Sequence, residues 1–364
     1  MKIALVTNCF LPQVGGVEFV VHHLANQWAG QGHEVCVFNS LADKAVHPEA
    51  LYKVKRYAIL RGATRFGYHS FPWLNISVRS LSKLINDYNP DFISGHVTVP
   101  VAFYLANLKP MREWIITGHN SGLTRYKFDL ELARALNAAR SVVAISKKQK
   151  DNLLAIGVAA SKIVIIQNGA DLERLQSPVS VDIRKLFGIR SDKKLVLTVG
   201  SNKPQKNFQL GLQVFAEIVK INRDAHYLIV GKGTSALRES IRRFGISDNV
   251  TVCEGLAGDC LVGAYQQSCV FLSTSFWESC PLVILESMAS GLPQIATDVQ
   301  GNRDLIDDGV TGLLIELNNP QAMARAAVSL LDNAELRKRM GENNLQKAKE
   351  FSWQKVSRRY LELS

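Results

Sequence analysis

The sequence predicts an α/β protein made of two doubly wound parallel sheets. Three observations carry this expectation. Short apolar runs alternate with helical spacing through the first half, the same alternation begins again after residue 192, and a polar, turn-rich stretch from Asn168 to Asp192 separates the two series. A chain of 364 residues with 47% hydrophobic content is long enough to bury two cores.

The elements follow in order. KIALVT reads as a strand, LPQVGG as turn chemistry, Val17 to Gly30 as a helix and HEVCVFN as the next strand, which makes a βαβ unit. Further strands are expected at DFISG, WIITG, SVVAIS and KIVIIQ, with helices such as Val99 to Leu108 and Lys147 to Ile156 between them. The second series supplies KLVLTVG, HYLIVG, NVTVCEG, CVFLST and PQIATD as strands, and the chain closes with helices at Gln321 to Asp332, Ala334 to Lys349 and Trp353 to Leu363. The expected domains are residues 1–172 and 173–348, with 349–364 packing back on the first.

Composition narrows the partners. The net charge of +11 is uneven: residues 1–180 hold 20 Lys and Arg against 12 Asp and Glu, whereas residues 181–364 hold 23 against 20. Such a surplus points to a phosphorylated small molecule, an anionic membrane surface or nucleic acid. No helix-turn-helix, zinc or RNA-binding motif is present, so no nucleic-acid partner is expected. The first residues fit neither a signal peptide nor a membrane span, which gives the expectation of a cytoplasmic protein. Six scattered cysteines without metal-ligand spacing read as free thiols, and no metal site is expected.

Four stretches carry chemistry. Gly15-Gly16 opens the first helix, where free N–H groups attract anions, although such a pair also reads as a tight turn. His119 lies just past a strand end, the edge where open α/β sheets hold ligands; it and His96, at a similar strand end, also read as loop histidines. VGSNKPQKNF places Lys203 and Lys206 on a turn after the first strand of the second half, suited to a diphosphate or simply solvated. Finally, SFWESCPLVILESMASG sets Glu278 and Glu286 eight residues apart, with Pro281 at the first position of a helix between them. The amides of Leu282 and Val283 then point to where a phosphate would sit.

Taken together, GGVE, H-E-V, IQNGAD at 166–171, the G-x5-K of GSNKPQK, LIVGKG at 228–233 and E-x7-E followed by ESMASGLPQIATD resemble the retaining glycosyltransferases of family 4. The likeness runs in order along nearly the whole chain, except residues 45–90. It implies the GT-B fold, two Rossmann-like domains facing a cleft, and transfer of a hexose-type sugar from a nucleotide-sugar donor, UDP- or GDP-linked, to a glycan or lipid-linked acceptor in cell-surface polysaccharide or glycolipid synthesis. By resemblance, Gly16 approaches the donor, His119 and Glu278 act on the transferred sugar, Lys206 binds the diphosphate with the Leu282 and Val283 amides, and Glu286 holds the ribose. Ser201 stands where the family usually has arginine, with Lys203 two residues on. No metal or other cofactor is implied. Between residues 50 and 86, seven basic residues, Arg61 and Arg65 among them, meet no acid and alternate with aromatics, which suits an anionic acceptor or peripheral membrane contact. The same stretch also reads as a solvated loop with its aromatics in the core. A nucleotide-sugar epimerase of the same fold and a non-enzymatic sugar-binding protein are the rival readings.

Overall fold

The computed structural model describes residues 1–11, 15–39, 50–58, 71–119 and 129–364, without the side chains of 71–74. The chain divides into two compact units, Met1–Asn168 with Trp353–Ser364, and Gly169–Ser352.

Unit 1 holds seven strands: β1 (Lys2–Thr7), β2 (Glu34–Asn39), β3 (Lys53–Arg56), β4 (Phe92–His96), β5 (Ile115–Thr117), β6 (Ser141–Ala144) and β7 (Ile163–Ile165). They pair in the order β3-β2-β1-β4-β5-β6-β7, all parallel. Because β3 is followed by β4 on the far side of β1, the order reverses between β1 and β4. Ligands bind at such a reversal in open α/β sheets, outside the carboxyl ends of the strands.

Unit 2 repeats the plan with β8 (Lys194–Val199), β9 (Ala225–Val230), β10 (Val250–Cys253), β11 (Val270–Ser273), β12 (Gln294–Thr297) and β13 (Gly312–Ile315). Its parallel order is β10-β9-β8-β11-β12-β13, so the reversal falls between β8 and β11. The strands read as continuous apolar runs because both faces are covered: Val196, Tyr227, Ile229, Leu272 and Ile295 lie in one core with Phe215 and Leu330 from the flanking helices.

Three of the elements that depart from the sequence reading bear on the sheets and the core of unit 1. Residues 50–58 and 71–88 contribute the edge strand β3 and the helix Phe71–Tyr88, whose Val78, Leu81, Ile85 and Tyr88 enter the core. The spacing of those four residues is helical, but the alternation of basic and aromatic residues hid it. Tyr57 from this stretch is buried and its hydroxyl donates to Thr7 O at 3.0 Å, while Arg79 and Lys83 stay exposed. Arg61 and Arg65 lie outside the described residues. Strand β13 is the third addition, short and half-buried at the edge of its sheet.

The last helix, Trp353–Leu361, belongs to unit 1 and is fixed there by specific contacts. Trp28 Nε1 donates to Ser357 O at 3.0 Å, Arg359 reaches Ile165 O at 2.7 Å, and Thr117 Oγ1 donates to Tyr360 OH at 3.1 Å. Tyr360 is buried edge-on against Trp28, with ring centroids 6.3 Å apart. Its truncation to alanine removes a large buried ring, at a cost of about 3–5 kcal/mol. Urea unfolding measures this, and a loss below about 1 kcal/mol, the scale of a single hydrogen bond, would mean that the helix does not close the core.

Candidate functional site

In unit 2 the loops that leave β8 and β11 lie side by side at the reversal of strand order. Thr198 Oγ1 donates across to Leu272 O, Thr274 Oγ1 bonds Lys206 O and Asn207 O at 3.2 and 3.0 Å, and Phe276 N donates to Gln205 O at 2.8 Å. These ties bring two charges together. Lys206 Nζ lies 2.6 Å from Glu278 Oε1, which also accepts from Ser275 Oγ at 2.7 Å, and Gln205 Nε2 reaches Glu278 Oε2 at 3.3 Å. Glu278 is buried and Lys206 is largely so. Both carboxylate oxygens of Glu278 are thus engaged.

Two glycines permit the close packing. A Cβ on Gly301 would stand 2.4 Å from Glu278 O, so the helix Gln300–Arg303 can press against the Glu278–Ser279 backbone only with glycine there. A Cβ on Gly231 would meet Gly200 O at 1.9 Å, where the loops after β9 and β8 touch. Lys203, by contrast, is exposed and has no ion-pair partner among the described residues, and Ser201 is half-buried. The structure therefore gathers Lys206, not Lys203, with Glu278.

Pro281 is the N-cap rather than the first helical residue: its backbone is extended, and the helix runs Leu282–Ala289. Its carbonyl accepts from Ile284 and Leu285, leaving the Leu282 and Val283 amides with no acceptor among the described residues. Ser279 and Cys280, just ahead of it, are buried. One turn further on, Glu286 Oε2 accepts from Tyr265 OH at 2.7 Å. Burial raises the pKa of Glu286, and the Tyr265 hydrogen bond and the charge of Arg174 oppose that rise.

In unit 1 the helix Gly16–Gly30 begins near the carboxyl end of β1, with the extended Gly15 as its N-cap and Gly16 as its first residue. At the neighbouring strand ends His96 Nδ1 meets His119 Nε2 at 3.1 Å, the rings stacked with centroids 5.3 Å apart, and Ser94 Oγ lies 3.2 Å from His96 Nε2. Sequence reasoning treated the two histidines separately; the adjacency of β4 and β5 pairs them. Burial holds the His96 pKa well below 6.5, with His119 adding to the fall, and burial lowers His119 to about 4. Both rings are neutral at pH 7.

Ser275, Gln205, Tyr265 and Gly301 were not anticipated from the sequence. Glu278 and Gly301 are joined by backbone packing, and Tyr265 stands 21 residues before Glu286, so no local spacing signals either relation. Among the described residues no three His, Cys, Asp or Glu side chains gather to hold a metal ion, and none of the six cysteines is in a disulfide.

The depressed histidines link stability to pH. Between pH 6.5 and about 4 the unfolded chain binds protons that the folded chain refuses, so stability is complete above pH 6.5 and falls as pH drops through that window. His119 is only partly buried, so its share at pH 5 is taken as about 1–2 kcal/mol. The fall in urea midpoint between pH 7.5 and 5.0 should be smaller in His119→Gln than in wild type; an equal acid loss in wild type and variant contradicts the assignment.

Comparison with known proteins agrees with this architecture. The Glycosyltransferase Family 4 family matches residues 14–174, and the Glycosyl transferases group 1 family matches residues 180–347. An uncharacterized glycosyltransferase of Methanocaldococcus jannaschii is 26% identical over 100% of this chain and 99% of its own. The N-acetyl-alpha-D-glucosaminyl L-malate synthase of Bacillus anthracis is also 26% identical, over 94% of this chain and 91% of its own. Among solved structures, Anabaena HepE in complex with UDP and glucose superposes with a TM-score of 0.82 at 19% identity, covering 100% of this chain and 98% of that one. The chain belongs to the family 4 glycosyltransferases and has the GT-B fold.

Proposed function

We propose that this glycosyltransferase moves a hexose-type sugar, with retention of anomeric configuration, from a nucleoside diphosphate donor to a glycan or lipid-linked acceptor. The observation that carries the reading is the ammonium of Lys206 held at 2.6 Å from Glu278, four residues ahead of Leu282, whose amide, like that of Val283, has no acceptor among the described residues. Cleavage of the donor builds negative charge on the departing diphosphate. A positioned amine and two amides stabilise that charge without reorganisation, the role a metal plays in other transferases. HepE, whose structure holds UDP and glucose, supports a donor of this class.

The remaining residues take roles along one extended donor. Glu286 accepts from the ribose hydroxyls, Glu278 lies at the sugar end, and Gly16 allows the donor close to the backbone. His119, neutral at pH 7, bonds a sugar hydroxyl as a dipole rather than a cation. Attack on the same face from which the diphosphate leaves, with a phosphate oxygen taking the acceptor's proton, requires no further base. The basic residues 50–86, with Arg61 and Arg65, meet an anionic acceptor or the inner membrane surface, consistent with polysaccharide or glycolipid synthesis on the cytoplasmic side. No described helix is long and apolar enough to cross a membrane.

Nucleotide release from UDP- and GDP-sugars, followed with and without added acceptors, tests the reaction. Acceptor-dependent release is expected; sugar interconversion without acceptor would instead make the protein an epimerase. In the same assay Lys206→Ala should lower kcat/KM by about 10²–10³, Glu286→Ala should mainly raise donor KM, and His119→Ala should mainly lower kcat. Three variants with wild-type kinetics would remove the proposed site.

A further inference from the structure

Tyr265 sits on the helix Gly258–Gln266, fully buried, with its ring 5.9 Å from that of Phe271 and nearly parallel to it. Its hydroxyl reaches out of this apolar packing to one acceptor, Glu286 Oε2, at 2.7 Å. The other carboxylate oxygen, Oε1, receives no hydrogen bond among the described residues. The helix Leu172–Gln176 packs against Leu282–Ala289 and turns the charge of Arg174 towards the same carboxylate.

A glutamate on a helix has three side-chain torsions to fix before it can act as an aimed acceptor, and a hydrogen bond from a rigid buried phenol fixes them at one oxygen. We propose that Tyr265 is a positioning residue: it holds Glu286 by Oε2 so that Oε1 alone faces the donor's ribose diol, and this sets a preference for ribonucleoside over 2′-deoxyribonucleoside diphosphates. The proposal rests on the reading that Glu286 takes the ribose. The selectivity has a simple origin. A carboxylate oxygen of the partly buried Glu286 that loses one of the diol's two hydroxyls keeps an unsatisfied lone pair, so a 2′-deoxy ligand is disfavoured, provided the carboxylate cannot swing away to find water. Tyr265 prevents that swing, and its bond also opposes the rise in proton affinity that burial imposes on Glu286.

The test is the ratio of dissociation constants for 2′-deoxy-UDP and UDP by calorimetry, with 2′-deoxy-GDP and GDP in parallel. Wild type should prefer the ribonucleotide by about tenfold or more. In Tyr265→Phe the ratio should fall to about threefold or less, with donor KM raised and kcat little changed, a split that loss of packing alone does not produce. If Tyr265→Phe does not fold, 3-fluorotyrosine at this position keeps the shape and strengthens the donor; the ratio should then widen, and an unchanged ratio counts against the proposal. A wild-type ratio in Tyr265→Phe together with a lost ratio in Glu286→Ala overturns the role of Tyr265 and leaves the donor site intact. A wild-type ratio in Glu286→Ala removes the ribose assignment itself.

Discussion

The ion pair between Lys206 and Glu278 is the constraint around which unit 2 is arranged. Withdrawing both charges from water is costly, and a 2.6 Å contact offsets that cost only when the remaining lone pairs and protons are also satisfied. Ser275 and Gln205 supply those bonds, Thr274 and Phe276 lock the two loops together, and Gly301 removes the side chain that would push Glu278 away. The loops are neighbours for a topological reason. β8 and β11 pair although β9 and β10 lie between them in sequence, so the reversal of strand order opens a crevice at their carboxyl ends. Fold and site are thus one fact seen at two scales.

Unit 1 uses the same reversal, between β1 and β4, but furnishes it with neutral groups. Stacked His96 and His119 are kept uncharged by burial, and Tyr360 from the last helix stacks on His96 with centroids 6.1 Å apart. The two units thus offer different chemistry at equivalent strand edges, neutral rings in unit 1 and a held ammonium in unit 2. A diphosphate needs fixed positive potential, whereas a sugar needs hydrogen-bonding dipoles that do not carry net charge.

Much of this was legible in the sequence, and the limits have physical causes. Both sheets could be read because parallel strands buried on two faces are continuous apolar runs, as in KIALVT and KLVLTV. The helix Phe71–Tyr88 was hidden because its buried Val78, Leu81, Ile85 and Tyr88 are interleaved with Arg79 and Lys83, and the stretch was read for its basic and aromatic residues instead. At the site, Lys206, Glu278 and Glu286 could be found because each lies close in sequence to a strand end or helix start. Tyr265, Gln205 and Gly301 act on them from other elements, through contacts that exist only once β8, β11 and β12 are assembled. The family resemblance named the residues proposed to meet the donor; it was silent on the residues that hold them.

The central claim is that Lys206 and Glu278 act as one unit in binding the donor diphosphate. A double-mutant cycle on UDP or GDP affinity, whichever nucleotide binds, tests it most directly, using Lys206→Met, Glu278→Gln and the double variant in calorimetry. The account predicts that the double variant departs from the sum of the single effects by more than about 1 kcal/mol, because Glu278 fixes the ammonium that meets the phosphate. Additivity within about 0.3–0.5 kcal/mol would contradict it.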